Sequence, residues 1–185
     1  MGNGFDIIEP LWEIDPMKRD VEPILSGMLT DERHREVILV EGARQVGKSY
    51  MVSRVLKELA RPFVSIDLEK DRKTARLIDR TSDFEDFRAL MRDQCGLTED
   101  GSILFLDEAQ ECPVVARYVK SFKEDWDGVR VVLTGSSMNR LFKSGTRIPV
   151  GRTRSLCVLP FSFAEFLRCM GNAELADLVR NAPPS

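Results

Sequence analysis

The most informative stretch of the sequence is Val37–Tyr50, which reads VILVEGARQVGKSY. Four apolar residues lead into a segment with the spacing G-x-x-x-x-G-K-[ST], which runs from Gly42 to Ser49. Glycines at those positions let the backbone curl so that successive N–H groups point at phosphate oxygens. A lysine and a hydroxyl directly afterwards suit the terminal phosphates and a magnesium ion. The stretch therefore predicts a polyphosphate cradle rather than a plain turn between a strand and a helix.

The residues of this cradle have distinct expected roles. We expect Lys48 to bring a catalytic positive charge to the β- and γ-phosphates and Ser49 to bind Mg²⁺. The N–H groups of the loop, and of the helix that begins after it, would bind the phosphates. The predicted nucleotide-binding residues of the segment are Gly42, Ala43, Arg44, Gln45, Val46, Gly47, Lys48, Ser49 and Tyr50.

Two adjacent carboxylates form a second candidate constellation. Asp107 and Glu108 follow the apolar run Ile103–Leu106, and open α/β sheets bind ligands at the carboxyl ends of their strands. We expect Asp107 to complete the Mg²⁺ shell and Glu108 to deprotonate an attacking water. The sequence contains no Asn-Lys-x-Asp guanine-recognition motif. ATP is therefore favoured over GTP.

A third apolar run, Val131–Leu133, leads into the small polar residues Thr134, Gly135, Ser136 and Ser137. Thr134 or Ser136 would be able to hydrogen-bond the γ-phosphate or the attacking water if this strand lies beside the cradle. A simple Gly-Ser turn is the alternative interpretation.

Apolar periodicity predicts the elements that position these residues. Short buried strands alternate with amphipathic helices, which predicts an α/β protein with a parallel sheet covered on both faces. Strands are expected at Val37–Val40, Phe63–Leu68, Ile103–Leu106, Val129–Leu133 and Ser155–Leu159. Helices are expected at Lys48–Leu59, after a capping box at Ser82–Glu85, and along Val115–Phe122, with a short one at Val21–Leu29.

Composition sets the outer limits on size and partners. The chain has 185 residues, enough for one well-cored domain, with a formal net charge of −3. The charge is unevenly distributed along the chain. Residues 128–164 contain six basic side chains and no acidic one, whereas the rest of the chain contains 21 basic and all 30 acidic residues. One interpretation is that this basic segment lies near a bound anion, and the other is that its basic side chains are scattered and solvated. Nucleic acid stays open but unsupported, because aromatic residues do not interleave with the arginines.

Cysteines and hydropathy bear on the compartment. The four cysteines form no CxxC pair and the chain has one histidine, so a zinc site is not expected and a reducing cytosol is favoured. No apolar run approaches the roughly 18 residues of a membrane span. We therefore predict a cytoplasmic protein with no membrane partner.

Taken together, the three motifs resemble those of prokaryotic ATPases of the AAA superfamily, in which a P-loop core precedes a nuclease-like C-terminal domain of unknown function. The resemblance rests on Gly42–Ser49, Leu104–Gln110 and Leu133–Ser137, and it continues through Gly151-Arg152 and Leu159–Phe166. It predicts an irregular or helical lead-in at 1–35, a P-loop ATPase core at 36–167, and a tail at 168–185 that begins a second domain.

The resemblance also implies a topology and an arginine. It implies a three-layer P-loop sandwich with the strand order 5-1-4-3-2, which brings the three motifs to one phosphate. Arg152 would reach a γ-phosphate as a catalytic sensor or arginine finger, with Arg147 as a weaker candidate. We interpret the aromatic run Phe161, Phe163 and Phe166 as core packing.

Three functions are compatible with the sequence. The favoured one is Mg²⁺-dependent ATP hydrolysis that drives a conformational change in a partner or second domain, slowly when the chain is isolated. A nucleotide-binding switch or scaffold with negligible hydrolysis is the alternative, and a homo-oligomer fits either one. A kinase-like phosphotransferase is the third, and the water-activating position of Glu108 speaks against it.

Overall fold

The computed structural model describes residues 17–136, 141–142 and 151–182. These residues form two compact units. One lies within Val21–Pro160, and the other combines residues 17–20 with residues 161–182. None of the helices in the described ranges is long and apolar enough to cross a membrane.

A five-stranded parallel sheet forms the centre of the larger unit. Its strands are β1 (Val37–Glu41), β2 (Phe63–Asp67), β3 (Ser102–Asp107), β4 (Val129–Gly135) and β5 (Thr153–Cys157). They pair in the order β2-β3-β4-β1-β5, and every pair is parallel. This confirms the predicted order 5-1-4-3-2. β3 and β4 are buried along their whole length, as expected for strands covered on both faces.

Helices cover both faces of the sheet. They are α1 (Glu22–Thr30), α2 (Lys48–Glu58), α3 (Arg72–Asp79), α4 (Phe84–Asp93) and α5 (Val115–Glu124). Successive strand residues point to opposite faces, so the core divides in two. Ile38 and Ile103 pack with α1 and α2, whereas Leu39 and Leu104 pack with α3, α4 and α5. The result is the predicted three-layer α/β sandwich.

Most predicted elements match the observed ones to within one or two residues at each end, and the last strand and the start of α4 differ for physical reasons. The last strand is Thr153–Cys157 rather than Ser155–Leu159, because its register with β1 begins at Thr153 opposite Val37, and Leu159 is exposed. The prediction was based on the position of the apolar residues. The exposed strand β5 pairs with β1 through backbone hydrogen bonds, which polar residues form equally well.

The start of α4 also differs. The predicted capping box began at Ser82, yet the N-cap is Asp83, whose carboxylate accepts a hydrogen bond from the Asp86 N–H. The Ser82 hydroxyl instead donates to the Asp86 carboxylate at 2.7 Å. The helix α3 had no counterpart among the predicted elements.

The smaller unit contains α6 (Phe163–Cys169) and α7 (Ala173–Asn181). These helices pack through Ala164, Leu167 and Ala176. Phe163 and Phe166 are 62% and 50% exposed, so the interpretation of the aromatic run as core packing is wrong. Ala164 and Leu167 of α6 face α7 instead, and the phenylalanines are left on the surface. The predicted domain boundaries at residues 35 and 167 stay a prediction.

The backbone around Gly42 leaves no room for a side chain, which can be tested. Its φ is +153°, and a Cβ at this position would lie 2.2 Å from the Val158 carbonyl oxygen. The Val158 N–H is itself bonded to the Glu41 carbonyl at 2.7 Å, so this backbone cannot retreat without breaking the sheet edge. We expect Gly42→Ala to lower the free energy of unfolding by about 1–3 kcal/mol, the usual cost of overpacking.

Gly27→Ala is the matched control for urea denaturation of both variants. Gly27 lies inside α1, and a Cβ there would meet no atom within 4 Å. Its replacement should stabilise the protein by about 0.5–1 kcal/mol through helix propensity. Equal effects of the two substitutions would contradict the steric explanation.

Candidate functional site

The loop between β1 and α2 has the curled backbone that the sequence predicts. Gln45 and Gly47 adopt left-handed conformations, with φ of +64° and +85°, and Gly42 is extended at positive φ. Such reversals turn successive N–H groups toward one side of the loop, which forms an anion-binding concavity. Strand, loop and helix therefore follow one another as the motif requires.

The amino terminus of α2 receives no side-chain cap from the part of the chain that the structure describes. Its N-cap is Gly47, no side-chain cap bonds the first turn, and that turn contains no acidic residue. The first N–H groups of a helix have no intrahelical acceptor, and the macrodipole places partial positive charge there. An anion such as a phosphate is the natural partner for this end of the helix.

Lys48 is held inside the loop. Its residue is 4% exposed, and its ammonium donates to the carbonyl oxygens of Gly42 and Ala43 at 3.1 and 2.9 Å. A buried ammonium needs such acceptors, because desolvation without hydrogen bonds is costly. The positive charge thus lies within the concavity where the sequence predicts a polyphosphate.

The other predicted cradle residues occupy three kinds of position. Ala43, Arg44 and Gln45 are exposed on the loop, and the Arg44 guanidinium pairs with the Glu69 carboxylate at 3.2 Å. The Val46 side chain packs against the core cluster beside α2. Ser49 is half-buried in the first turn of α2, and Tyr50 is 50% exposed.

Asp107 and Glu108 lie where β3 ends. Asp107 is 6% exposed, and its Oδ1 accepts hydrogen bonds from the Thr134 hydroxyl and, at 3.1 Å, from the Glu108 N–H. Both hydrogen bonds that the Asp107 carboxylate accepts from described residues end on Oδ1. Thr134 is fully buried. The structure therefore shows the Thr134 hydroxyl bonded to the Asp107 carboxylate, and its predicted contact with a phosphate or water stays a prediction.

Glu108 has an unusual backbone for a non-glycine residue. Its φ and ψ are +51° and +48°, and it precedes a short 3₁₀ turn at Ala109–Glu111. Left-handed conformation costs a residue with a Cβ roughly 1–2 kcal/mol, so surrounding contacts must enforce it. Its carboxylate accepts a hydrogen bond from the Gln110 side-chain amide at 2.5 Å. Sequence reasoning missed Gln110, although its position in Asp-Glu-Ala-Gln was a usable signal.

The sheet brings the three motifs to one edge. β1 lies beside β4, with Glu41 opposite Gly135, and β4 lies beside β3, with Leu133 opposite Leu106. Because all three strands are parallel, the phosphate loop, Asp107 and Glu108, and the exposed Ser136 all follow carboxyl ends at the same edge. Ser137 and Arg147 lie outside the described residues.

The neighbouring strand adds a carboxylate that a lysine neutralises. Asp67 ends β2 opposite Asp107. Burial alone would raise the pKa of Asp67, but the hydrogen bond from Lys70 and two backbone N–H groups bring that pKa below its ordinary value. The bond to Asp67 raises the pKa of Lys70, and the Asp107 charge contributes to that rise. This strand end therefore keeps its charges balanced beside Asp107.

Arg152 lies at the opposite edge of the sheet. It directly precedes β5, and its carbonyl accepts a hydrogen bond from the Val37 N–H at 2.9 Å, where β1 begins. The strand from Val37 to Glu41 advances about 13 Å toward the phosphate loop. The Arg152 guanidinium bonds Glu124 at 2.8 Å. The structure therefore does not bring Arg152 to the phosphate loop of its own chain.

The residues present fit a magnesium ion that arrives with a nucleotide. Ser49 supplies a hydroxyl and Asp107 a carboxylate, and Mg²⁺ prefers such hard oxygen ligands while taking others from phosphates and water. Within the described ranges, no group of three or more His, Cys, Asp or Glu residues is placed to hold a metal by itself. Two protein ligands beside a phosphate site match the way Mg²⁺ is bound by nucleotide enzymes.

The parallel sheet, the glycine-bounded loop and the uncapped helix define the class of the protein as a P-loop nucleoside triphosphatase fold. Residues 34–167 match the family model described as an AAA domain. The match covers most of the chain, which therefore belongs to the AAA domain family. No curated protein matches the sequence.

Solved structures share the fold. A Walker-type ATPase of Pyrococcus abyssi is 19% identical with a TM-score of 0.56, and the match covers 95% of this chain and 64% of that one. A structure of Drosophila ORC bound to DNA is 14% identical with a TM-score of 0.59, and the match covers 92% of this chain and 51% of that one. This chain thus spans less than two thirds of the length of either.

Proposed function

We propose that the protein binds ATP with Mg²⁺ and hydrolyses it to drive a conformational change in a partner or second domain. The observation that carries the proposal is the buried Lys48 ammonium inside a positive-φ loop, at the same sheet edge as Asp107 and Glu108. Membership of the AAA domain family and the fold shared with a Walker-type ATPase support nucleotide binding.

The proposed chemistry assigns one task to each residue. Lys48 and the first N–H groups of α2 bind the phosphates, and Ser49 and Asp107 hold the cation, which supplies charge neutralisation at the terminal phosphates. Glu108 accepts a proton from the water whose oxygen bonds to the γ-phosphorus. The bond from that phosphorus to the bridging oxygen breaks, and its electron pair leaves with ADP.

A switch or scaffold with negligible hydrolysis is the second candidate. Two observations favour it: Lys48 is hydrogen-bonded to its own loop, and Arg152 lies at the far edge of the sheet. A phosphotransferase is less well supported, because a carboxylate base beside the site favours water as the nucleophile. Slow turnover by the isolated chain follows if Arg152 acts only on a second copy.

The wider setting belongs to the same proposal. We place the protein in a prokaryotic cytoplasm, with a second, nuclease-like domain or a homo-oligomer as the element that responds to turnover. One structural relative is described as bound to DNA, so DNA is the nucleic acid to include in assays of ATP turnover.

Lys48→Ala tests nucleotide binding. The substitution removes a charge-assisted contact worth about 1.5–3 kcal/mol, so we expect the affinity for Mg-ATP, measured by calorimetry, to fall at least about tenfold. Lys57→Ala, at the exposed far end of the same helix, is the matched control and should leave the affinity unchanged. Wild-type affinity in Lys48→Ala would refute ATP binding by this loop.

Glu108→Gln separates binding from chemistry. The amide retains the shape of the side chain but cannot accept the proton, so we expect ATP to bind and persist, with hydrolysis lowered about 10²–10⁴-fold. Asp107→Asn should instead weaken the Mg²⁺ dependence of binding. Glu111→Gln, on the exposed end of the same turn, serves as the control. Hydrolysis at the wild-type rate in Glu108→Gln would favour a different base.

Arg152→Ala tests action on a neighbouring copy. Because Arg152 lies far from its own phosphate loop, we expect unchanged ATP affinity and, in wild type, single-turnover hydrolysis that accelerates with protein concentration. An inserted guanidinium accelerates phosphoryl transfer by about 10³–10⁵, so the variant should lose that acceleration. Arg154→Ala, exposed on β5, is the control. Fast hydrolysis that ignores concentration would exclude a finger supplied by a second copy.

A further inference from the structure

The side-chain amide of Gln110 lies directly against the carboxylate of Glu108. Its Nε2 donates to the Glu108 Oε2 at 2.5 Å, and both residues are half-buried. A hydrogen bond to an ionised acceptor is stronger than one between neutral groups. The contact therefore fixes one oxygen of the carboxylate, and the other, Oε1, accepts no hydrogen bond from a described residue.

The short turn that carries Gln110 is itself anchored. Ala109 is fully buried, the Glu111 N–H donates to the Glu108 carbonyl at 2.9 Å, and the Cys112 N–H donates to the Ala109 carbonyl at 3.1 Å. On the other side, the Glu108 N–H is bonded to Asp107 and lies 3.3 Å from the Thr134 hydroxyl oxygen. The backbone on both sides of the contact is thus held by the sheet edge.

The chemistry of the pair sets the orientation of the amide. A carboxylate only accepts hydrogen bonds, so the NH₂ group of Gln110 must face it and the amide oxygen must point elsewhere. That oxygen, Oε1, is buried and has no hydrogen-bond partner among the described residues. A buried acceptor without a donor is costly, so the charge-assisted bond to Glu108 is what holds the amide in this orientation.

We infer that Gln110 is a positioning residue for Glu108: its amide holds the carboxylate by Oε2, so that Oε1 is placed to take a proton from the attacking water. The inference rests on the proposed ATP hydrolysis. One hydrogen of the water goes to Glu108 Oε1 as a proton while the oxygen bonds to the γ-phosphorus, the other hydrogen stays on that oxygen, and the bond from the phosphorus to the bridging oxygen breaks. Gln110 thereby acts on the base and does not bind the nucleotide.

The division between orientation and binding predicts how Gln110 variants behave. Gln110→Ala removes the contact with Glu108, and Gln110→Met removes it while retaining the length of the side chain. In each variant we expect kcat to fall about 10–100-fold, the range that follows from misplacing a reacting group by about 1 Å. KM and the dissociation constant of Mg-ATP should stay within about twofold, since Lys48 and the loop bind the phosphates.

Glu111→Ala is the matched control for these variants. It lies in the same turn, is exposed, and its carboxylate pairs with Arg72 at 3.1 Å rather than with Glu108. Its kcat should equal that of wild type. Thermal unfolding of every variant is recorded beside the kinetics, and a Gln110→Met variant that binds Mg-ATP normally is folded at the site.

Introducing Gln110→Ala into the Glu108→Gln background separates positioning from support of the fold. If Gln110 acts through Glu108, the second substitution changes the residual rate less than about twofold, because interacting residues are not additive. A further full loss in that background would show that Gln110 acts independently of Glu108 and would overturn the inference. Wild-type kcat in both Gln110→Ala and Gln110→Met would overturn it as well.

The two levels of the proposal fail in different ways. Absence of any hydrolysis by the wild-type chain, with ATP bound, would refute the hydrolytic function and with it the role of Gln110. Hydrolysis by wild type that depends on Glu108 but not on Gln110 would refute the positioning role alone.

Discussion

The parallel pairing of β1 with β4, and of β4 with β3, is the constraint on which the site depends. Residues 42–48, Asp107 and Thr134 come from three distant parts of the chain, and the register alone brings their strand ends together. Helices on both faces hold that register, because the apolar residues of each strand alternate between two separate cores. A one-residue slip in β4 would exchange those cores and separate the Thr134 hydroxyl from Asp107.

The charged side chains at this edge of the sheet are hydrogen-bonded to neutral groups. Lys48 meets loop carbonyls, Asp107 meets a hydroxyl and an N–H group, and Glu108 meets the Gln110 amide. Each partner is a neutral dipole rather than an opposite charge. Neutral partners satisfy a buried ion without cancelling it, so the positive and negative charges remain able to act on a phosphate and its cation. A direct ion pair between Lys48 and Asp107 would have neutralised the site instead.

The structure separates Arg152 from the phosphate loop of the same chain. Its guanidinium bonds Glu124 at the amino edge of the sheet, so the phosphate loop of one chain lacks this guanidinium. A guanidinium on that edge would contact a phosphate loop only in a second molecule packed against the edge, which is the arrangement that the proposed arginine finger requires. The exposed phenylalanines of the smaller unit are a separate feature, since Phe163 and Phe166 point away from the helix that α6 packs against.

The sequence by itself determined the fold class, the strand order through its family resemblance, and the identity of the phosphate loop. These features depend on local spacing and on apolar runs, which physical chemistry constrains within a few residues. Only the tertiary structure decided which side chains meet: that Thr134 bonds Asp107, that Gln110 bonds Glu108, and that Arg152 lies at the far edge. The last strand and the aromatic run were misread for the same reason. Whether Leu159 or Phe163 is buried depends on the surface that another element presents, and no local pattern contains that information.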